Sequence, residues 1–348
     1  VSGRLDLRRG VVVSADPLLI QVGEERRPAW ADTALLGEMQ EGDKVVVNVV
    51  ALDLDLGSGG FDVVHVNLTR GLDGAGGGDG EHVIKLNYTS LQYPVVPVEL
   101  SAGGPGGAVV GEPAADGPAS TGAPVLVLPL HGHLAPAAWA AAEARPGLKV
   151  GFVQTAGGAL PGSLSRDVAA LRERGLLCGH ITAGPAYGGE HEALSTAGAL
   201  DAAAKRLGWE AILVGPGPGI IGSATEFGHG GMAALDSAHA ALSLRLPTLL
   251  SPRLSSSDPR ERHLELSHHT YTVLELLLAS VDVAVPEGED RIAAALEAAP
   301  GSHRLRAAPA DLDAYAGSGL PSTTMGRSIQ EDPLFFAAPL AAGRLLAE

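Results

Sequence analysis

A chain of 348 residues with a formal net charge of -16 lacks the basic footprint with which binding to nucleic acid or to an anionic membrane begins, so neither partner is expected. The length exceeds what one hydrophobic core usually organises, about 100 to 200 residues, and points to two domains. Hydrophobic residues make up 45% and aromatic residues 4%, so the core is built from Val, Leu, Ala and Ile. The single cysteine, Cys178 in Leu176-Leu177-Cys178, excludes an internal disulfide and reads as buried and inert.

The first residues, Val1 to Asp6, hold no apolar segment of signal-peptide length, and no later run reaches the roughly 18 to 20 apolar residues that span a bilayer. A cytoplasmic location is expected. Residues 1–100 read as strands of an antiparallel β domain, a small barrel or an open sheet. In "GVVVSADPLLIQV" (10–22) two apolar runs flank the turn signal Ser14-Ala15-Asp16-Pro17. In "DKVVVNVVALDLDLGSGGFDVVHVNL" (43–68) the pattern continues, with Leu52, Leu54 and Leu56 alternating with Asp53 and Asp55. The segment "EHVIKLNYTSLQYPVVPVEL" (81–100) completes this domain.

Residues 101–123 turn to Gly, Pro, Ala and Ser without apolar periodicity and read as a flexible linker. Residues 124–300 alternate apolar runs with helical patterns, the strands falling at 125–130, 148–154, 176–182, 210–215, 247–251 and 281–285. That rhythm is the signature of a doubly wound, mostly parallel, Rossmann-like α/β sheet. The extension 301–348 opens with a further strand at 303–307 and closes in a helix on the domain edge.

Open α/β sheets bind ligands beyond the carboxyl ends of their strands, so the polar residues that follow each strand are the candidate site. The first strand is followed by His131 and His133; on an extended segment this spacing turns both rings to one side, as two ligands of a divalent metal would lie. The third is followed by His180. The fourth runs into "GPGPGIIGSATEFGHGG" (215–231), where Gly217, Gly219 and Gly222 would let backbone approach an anion and His229 would contact it. The fifth runs into 251–270, where Arg253, Arg260 and Arg262 supply planar forks for carboxylate or phosphate beside Asp258. Ser267 would cap a helix there with His268 and His269 in its first turn, where the dipole favours the neutral imidazole. "GGEHEAL" (188–194) reads as the opening of another helix. No GxSxG elbow, P-loop, nicotinamide or flavin signature is present.

Four motifs, "HVIKLNYTSLQYPV" (82–95), "GPGPGIIGSATEFGHGG" (215–231), "DPRERHLELSHHT" (258–270) and "TTMGRSIQEDPLFF" (323–336), together resemble a bacterial family, domain of unknown function 3866. The resemblance spans nearly the whole chain and implies a cytoplasmic bacterial protein. It brings no activity and no catalytic residues with it.

These readings lead to an enzyme, a hydrolase or group transferase, for a small anionic metabolite that is phosphorylated or carboxylated. His131, His133, His180 and His268 would serve acid/base roles, and a homodimer is the expected assembly. The alternative is a non-catalytic metabolite sensor or assembly protein whose β domain contacts the partner.

Overall fold

The alternation of the N-terminal segment closes on itself. In the computed structural model, which describes residues 4–55, 59–72, 83–100, 122–223 and 225–348, strands β1 (Leu7–Ala15), β2 (Leu18–Val22), β3 (Glu25–Trp30), β4 (Lys44–Asn48) and β5 (Asp62–Asn67) form a closed barrel in the order β1-β2-β3-β5-β4. Val12, Ile20, Val45, Val47 and Val64 fill it, every second residue of a strand pointing inward. The pair β3–β5 is parallel, where the sequence suggested antiparallel strands throughout. A ring with an odd number of strands cannot alternate direction all the way round, so one neighbour pair has to run parallel. Short helices α1 (Thr33–Leu36) and α2 (Val50–Asp53) join the strands. The Leu/Asp alternation at 52–56 therefore opens as α2 rather than as strand: Leu54 is 63% exposed and Leu56 lies outside the described residues.

The chain divides into two units, 1–79 and 80–348. In the second, β8 (Val125–Val127), β9 (Val150–Thr155), β10 (Gly179–Ala183), β11 (His191–Ala193), β12 (Ala211–Pro216), β13 (Thr248–Leu250), β16 (Asp282–Pro286) and β17 (Arg304–Ala308) build one sheet, in the order β11-β10-β9-β12-β8-β13-β16-β17. All its pairings are parallel. Between β13 and β16 lies the antiparallel pair β14 (Leu254–Ser255) and β15 (Glu265–Leu266), and β18 (Thr323–Thr324) pairs with β19 (Arg327–Ser328) near the end.

Strand residues alternate into two cores. Leu126, Phe152, Leu213 and Leu249 meet α3 (Leu134–Ala144), α4 (Arg166–Glu173), α9 (Leu312–Gly317) and α10 (Pro333–Leu346) on one face. Val125, Val153, Ile212 and Leu250 meet α5 (Thr196–Lys205), α6 (Ala233–Ser243), α7 (His268–Leu276) and α8 (Asp290–Glu297) on the other. Helices on both faces explain why these strands read as continuous apolar runs. The final helix is not peripheral: in α10, Phe335 and Phe336 are 1% exposed and Leu340 0%. Gly343 lets it approach α3, since a Cβ there would lie 2.2 Å from the Ala137 carbonyl oxygen.

Residues 83–100 belong with the sheet rather than with the barrel strands. Hairpin β6 (Val83–Lys85) and β7 (Tyr93–Val95) is held at the β10–β11 edge by buried Lys85, whose Nζ donates to the Thr182 carbonyl at 3.1 Å, to that of Ala186 and to Glu192 at 2.6 Å. Tyr93 donates to the other oxygen of Glu192 at 2.6 Å. This anchoring also explains why 188–194 is not a helix start: His191–Ala193 pairs with Ile181–Ala183 as edge strand β11, and the helix α5 waits for Ser195, whose side chain caps Gly198. Cys178, expected buried, is exposed where the chain enters β10. The linker read at 101–123 falls, up to residue 121, outside the described residues. No helix among the described residues is long and apolar enough to cross a membrane.

Candidate functional site

The histidines after β8 are tied into the fabric of the sheet. Residues His131–His133 form a 3-10 turn, not an extended segment, so at three residues per turn the two rings diverge. The Nδ1–H of His131 donates to the Pro216 carbonyl at 3.1 Å, which leaves Nε2 to accept from the Ser165 hydroxyl at 2.7 Å. Ser165 in turn caps α4 by accepting from Val168 N at 3.0 Å. One imidazole thus joins the ends of β8 and β12 to α4. His133 is fully buried, bonds Ser251 Oγ at 2.9 Å and meets the Phe335 ring edge-on at 5.0 Å. The pair expected to share a metal therefore has separate partners. His180 stacks on Phe152 at 5.5 Å, and its buried Nε2 has no partner.

His131→Ala removes two hydrogen bonds and leaves a cavity, so a stability loss of about 2 to 4 kcal/mol is expected in urea melts. A loss under about 0.5 kcal/mol would contradict this linking role.

The glycines of 215–231 serve the packing of loops on one another. A Cβ on Gly217 would sit 2.2 Å from the Ala159 carbonyl oxygen and 2.6 Å from Gln154 Nε2. Gly219 adopts φ +74°, and Gly222 forms an isolated bridge to His229. The close approach anticipated for a ligand is taken up by the β9 loop at Gly217.

The chemistry gathers instead beside the starts of α6 and α7. The β14–β15 pair folds 256–264 back on itself, so that Ser267 N donates to the Arg253 carbonyl at 3.0 Å and Arg253 N donates to Thr270 Oγ1 at 2.8 Å. Ser267 caps α7 as the sequence suggested, and His268 and His269 occupy its first turn. His263 packs against both rings at centroid distances of 4.9 and 4.8 Å. From the start of the 3-10 turn that leads into α6, His229 stacks on His269 at 3.6 Å with the planes 6° apart.

Burial, more than anything else, pushes all four imidazoles down from their ordinary range, His263 to about 3 and His269 to about 2. Repulsion from Arg253 adds to the effect on each. Two ring nitrogens in this cluster, His229 Nδ1 and His268 Nε2, are buried without a hydrogen-bond partner. Among the described residues, His229, His268 and His269 form the group that could hold an ion, each offering one nitrogen within 4.8 Å of the others.

The arginines divide by partner. Arg260 grips buried Asp258 through Nε at 2.9 Å and Nη2 at 2.8 Å, so it is committed to the protein rather than to a ligand. Arg253 lies 3.6 Å from the same carboxylate and donates Nη1–H to His269 Nδ1 at 3.0 Å. Arg327 binds Asp332 at 3.0 Å and stands 3.7 Å from Asp258. Exposed Arg262, which bears electrostatically on His229 and His268, has no ion-pair partner among the described residues.

Asp332 was not legible as part of this region. It sits 74 residues beyond Asp258 in the chain, and its only local signal is a helix-entry position before Pro333. The groove lined by Pro124, Arg145, Trp209, Pro247 and Arg306, about 570 Å³ in volume, opens at the amino ends of the strands, away from the histidines.

A barrel unit and a parallel α/β unit with a histidine–arginine cluster near its strand carboxyl ends define the class of this protein. The chain belongs to the family described as protein of unknown function DUF3866, whose model matches residues 28–343. No curated protein and no solved structure matches it.

Proposed function

We propose that the protein is a hydrolase or group transferase for a small phosphorylated or carboxylated metabolite, bound at the His229–His263–His268–His269 cluster. The observation that carries this reading is the packing of four imidazoles on one another, kept neutral chiefly by burial, within electrostatic reach of the Arg262 guanidinium, which has no ion-pair partner among the described residues. Neutral imidazole accepts or relays a proton during bond cleavage, and guanidinium holds the anion.

Local charge supports an anionic ligand. Arg253, Arg260 and Arg327 surround two buried carboxylates, Asp258 and Asp332, and Arg262 adds a fourth cation that acts on His229 and His268, so cations outnumber the buried carboxylates here on a chain of net charge -16. Such contrast directs anions to the site. The amino ends of α6 and α7 add their partial positive charge. In this reading Arg262 and Arg253 orient the anion, His268 is the acid/base group, and Arg260 and Asp258 position Arg253.

The test is a thermal-shift titration with inorganic phosphate and citrate. At about 100 times Kd a ligand contributes about 2.7 kcal/mol, which raises the melting temperature by about 5 to 10 °C. Arg262→Ala is expected to lose most of that shift while melting normally without ligand. Equal shifts in wild type and Arg262→Ala would overturn the assignment. On a substrate found by screening phosphate and carboxylate esters, His268→Ala is expected to lower turnover by about 10² to 10⁴.

A further inference from the structure

The tautomer of His229 is settled by its neighbour. Its Nε2 lies 2.9 Å from the Glu226 carbonyl oxygen, which only accepts, so Nε2 carries the hydrogen and Nδ1 a bare lone pair. That lone pair is buried and unpartnered, an arrangement that is unfavourable unless a donor or a cation fills it. His268 presents a second unpartnered nitrogen, Nε2, in the same cluster.

We propose that His229 Nδ1, His268 Nε2 and a ring nitrogen of His269 bind a divalent transition-metal ion of the zinc class. Imidazole suits zinc, cobalt and nickel, whereas magnesium and calcium prefer oxygen ligands. Three histidines leave one tetrahedral position open, the arrangement of a catalytic rather than a structural site. The Nε2–H of His229 bonded to a backbone carbonyl is the outer contact that metal-ligating histidines ordinarily make.

Two local adjustments accompany loading. The stacked rings of His229 and His269 have to rotate apart, because parallel rings 3.6 Å apart do not aim their lone pairs at one point. Arg253 has to release His269 Nδ1, and Asp258, already 3.6 Å from Arg253 Nη2, is placed to receive it. The open position would take an oxygen of the anionic ligand, and with His268 bound to the ion the neighbouring ring of His263 would carry the proton in its place; this last step alone rests on the function proposed above.

The experiment is elemental analysis of the full chain purified without a histidine tag, followed by cobalt(II) titration read from visible absorption. Near-stoichiometric metal and an intense four-coordinate cobalt band are expected, both lost in His229→Ala and His268→Ala and both kept in His133→Gln. Cobalt binding equally well to wild type and to His268→Ala would overturn the site. If circular dichroism shows that the alanine variants unfold, His268→Gln serves instead, since this ring is only partly buried. Phosphate shifts measured with and without chelator separate the two proposals. A shift without bound metal sinks the ion alone, and bound metal without any shift sinks the anion reading alone.

Discussion

Asp258→Ala is expected to lower the melting temperature by about 10 °C, corresponding to a loss of about 3 to 5 kcal/mol. The carboxylate side chain is 0% exposed, and Arg253, Arg260 and Arg327 all lie within 3.7 Å of it. Arg260 is 45% exposed and can turn to water when its partner goes. Arg253, at 6%, cannot, and its desolvated charge is left without a carboxylate and repelled by Arg327, which keeps Asp332. Hydrogen bonds from Arg260 hold the Asp258 carboxyl far below the ordinary carboxylate range, so its contribution is present at neutral pH and is lost only in strong acid. Asp258→Asn keeps an acceptor but no charge and is expected to fall between. A loss below about 1 kcal/mol, the range of a surface pair, would show that water screens the network.

The second large effect is acid lability well above the carboxylate range. Burial pushes His133 and His180 down to about 3, while in the unfolded chain a histidine titrates near 6.5. Between those values the unfolded state binds more protons, so stability falls as pH falls through that window and is fully retained above it. With these two groups, and with His263 and His269 shifted in the same direction, a loss on the order of several kcal/mol or more is expected by pH 4. Urea melts at pH 7, 6, 5 and 4 measure it directly. His133→Gln, which cannot charge, is expected to flatten the slope. A stability profile level from pH 7 to pH 5 in the wild type would sink the argument.

Much of the parallel sheet was legible because its strands are buried on both faces. A run such as Val125-Leu126-Val127 cannot be anything but interior, and each of the expected strands from 125 to 307 corresponds to an observed one. The N-terminal strands were legible for the complementary reason, as alternation marks strands with one buried face, while closure into a barrel rather than an open sheet was decided by the structure. Local signals failed where a distant partner decides the outcome. His191–Ala193 reads as a helix start, yet it is a strand because β10 and Lys85 lie alongside. The motif His131-Gly132-His133 reads as a ligand pair, yet Ser165, Pro216 and Ser251, from three other segments, claim its rings.

By itself, then, the sequence determined the two architectures, the side of the sheet on which polar groups collect, and the cap that sets His268 and His269 in the first turn of α7. These follow from periodicity and from interactions between residues close in the chain. Only the tertiary structure decided which histidines meet. His229 reaches His269 across 40 residues of chain, and Asp332 reaches Ser255 across 77. Such meetings depend on how helices and loops pack over the strand ends. Hydrogen bonds and stacking act over a few ångströms in space, and a sequence records distance only along the chain.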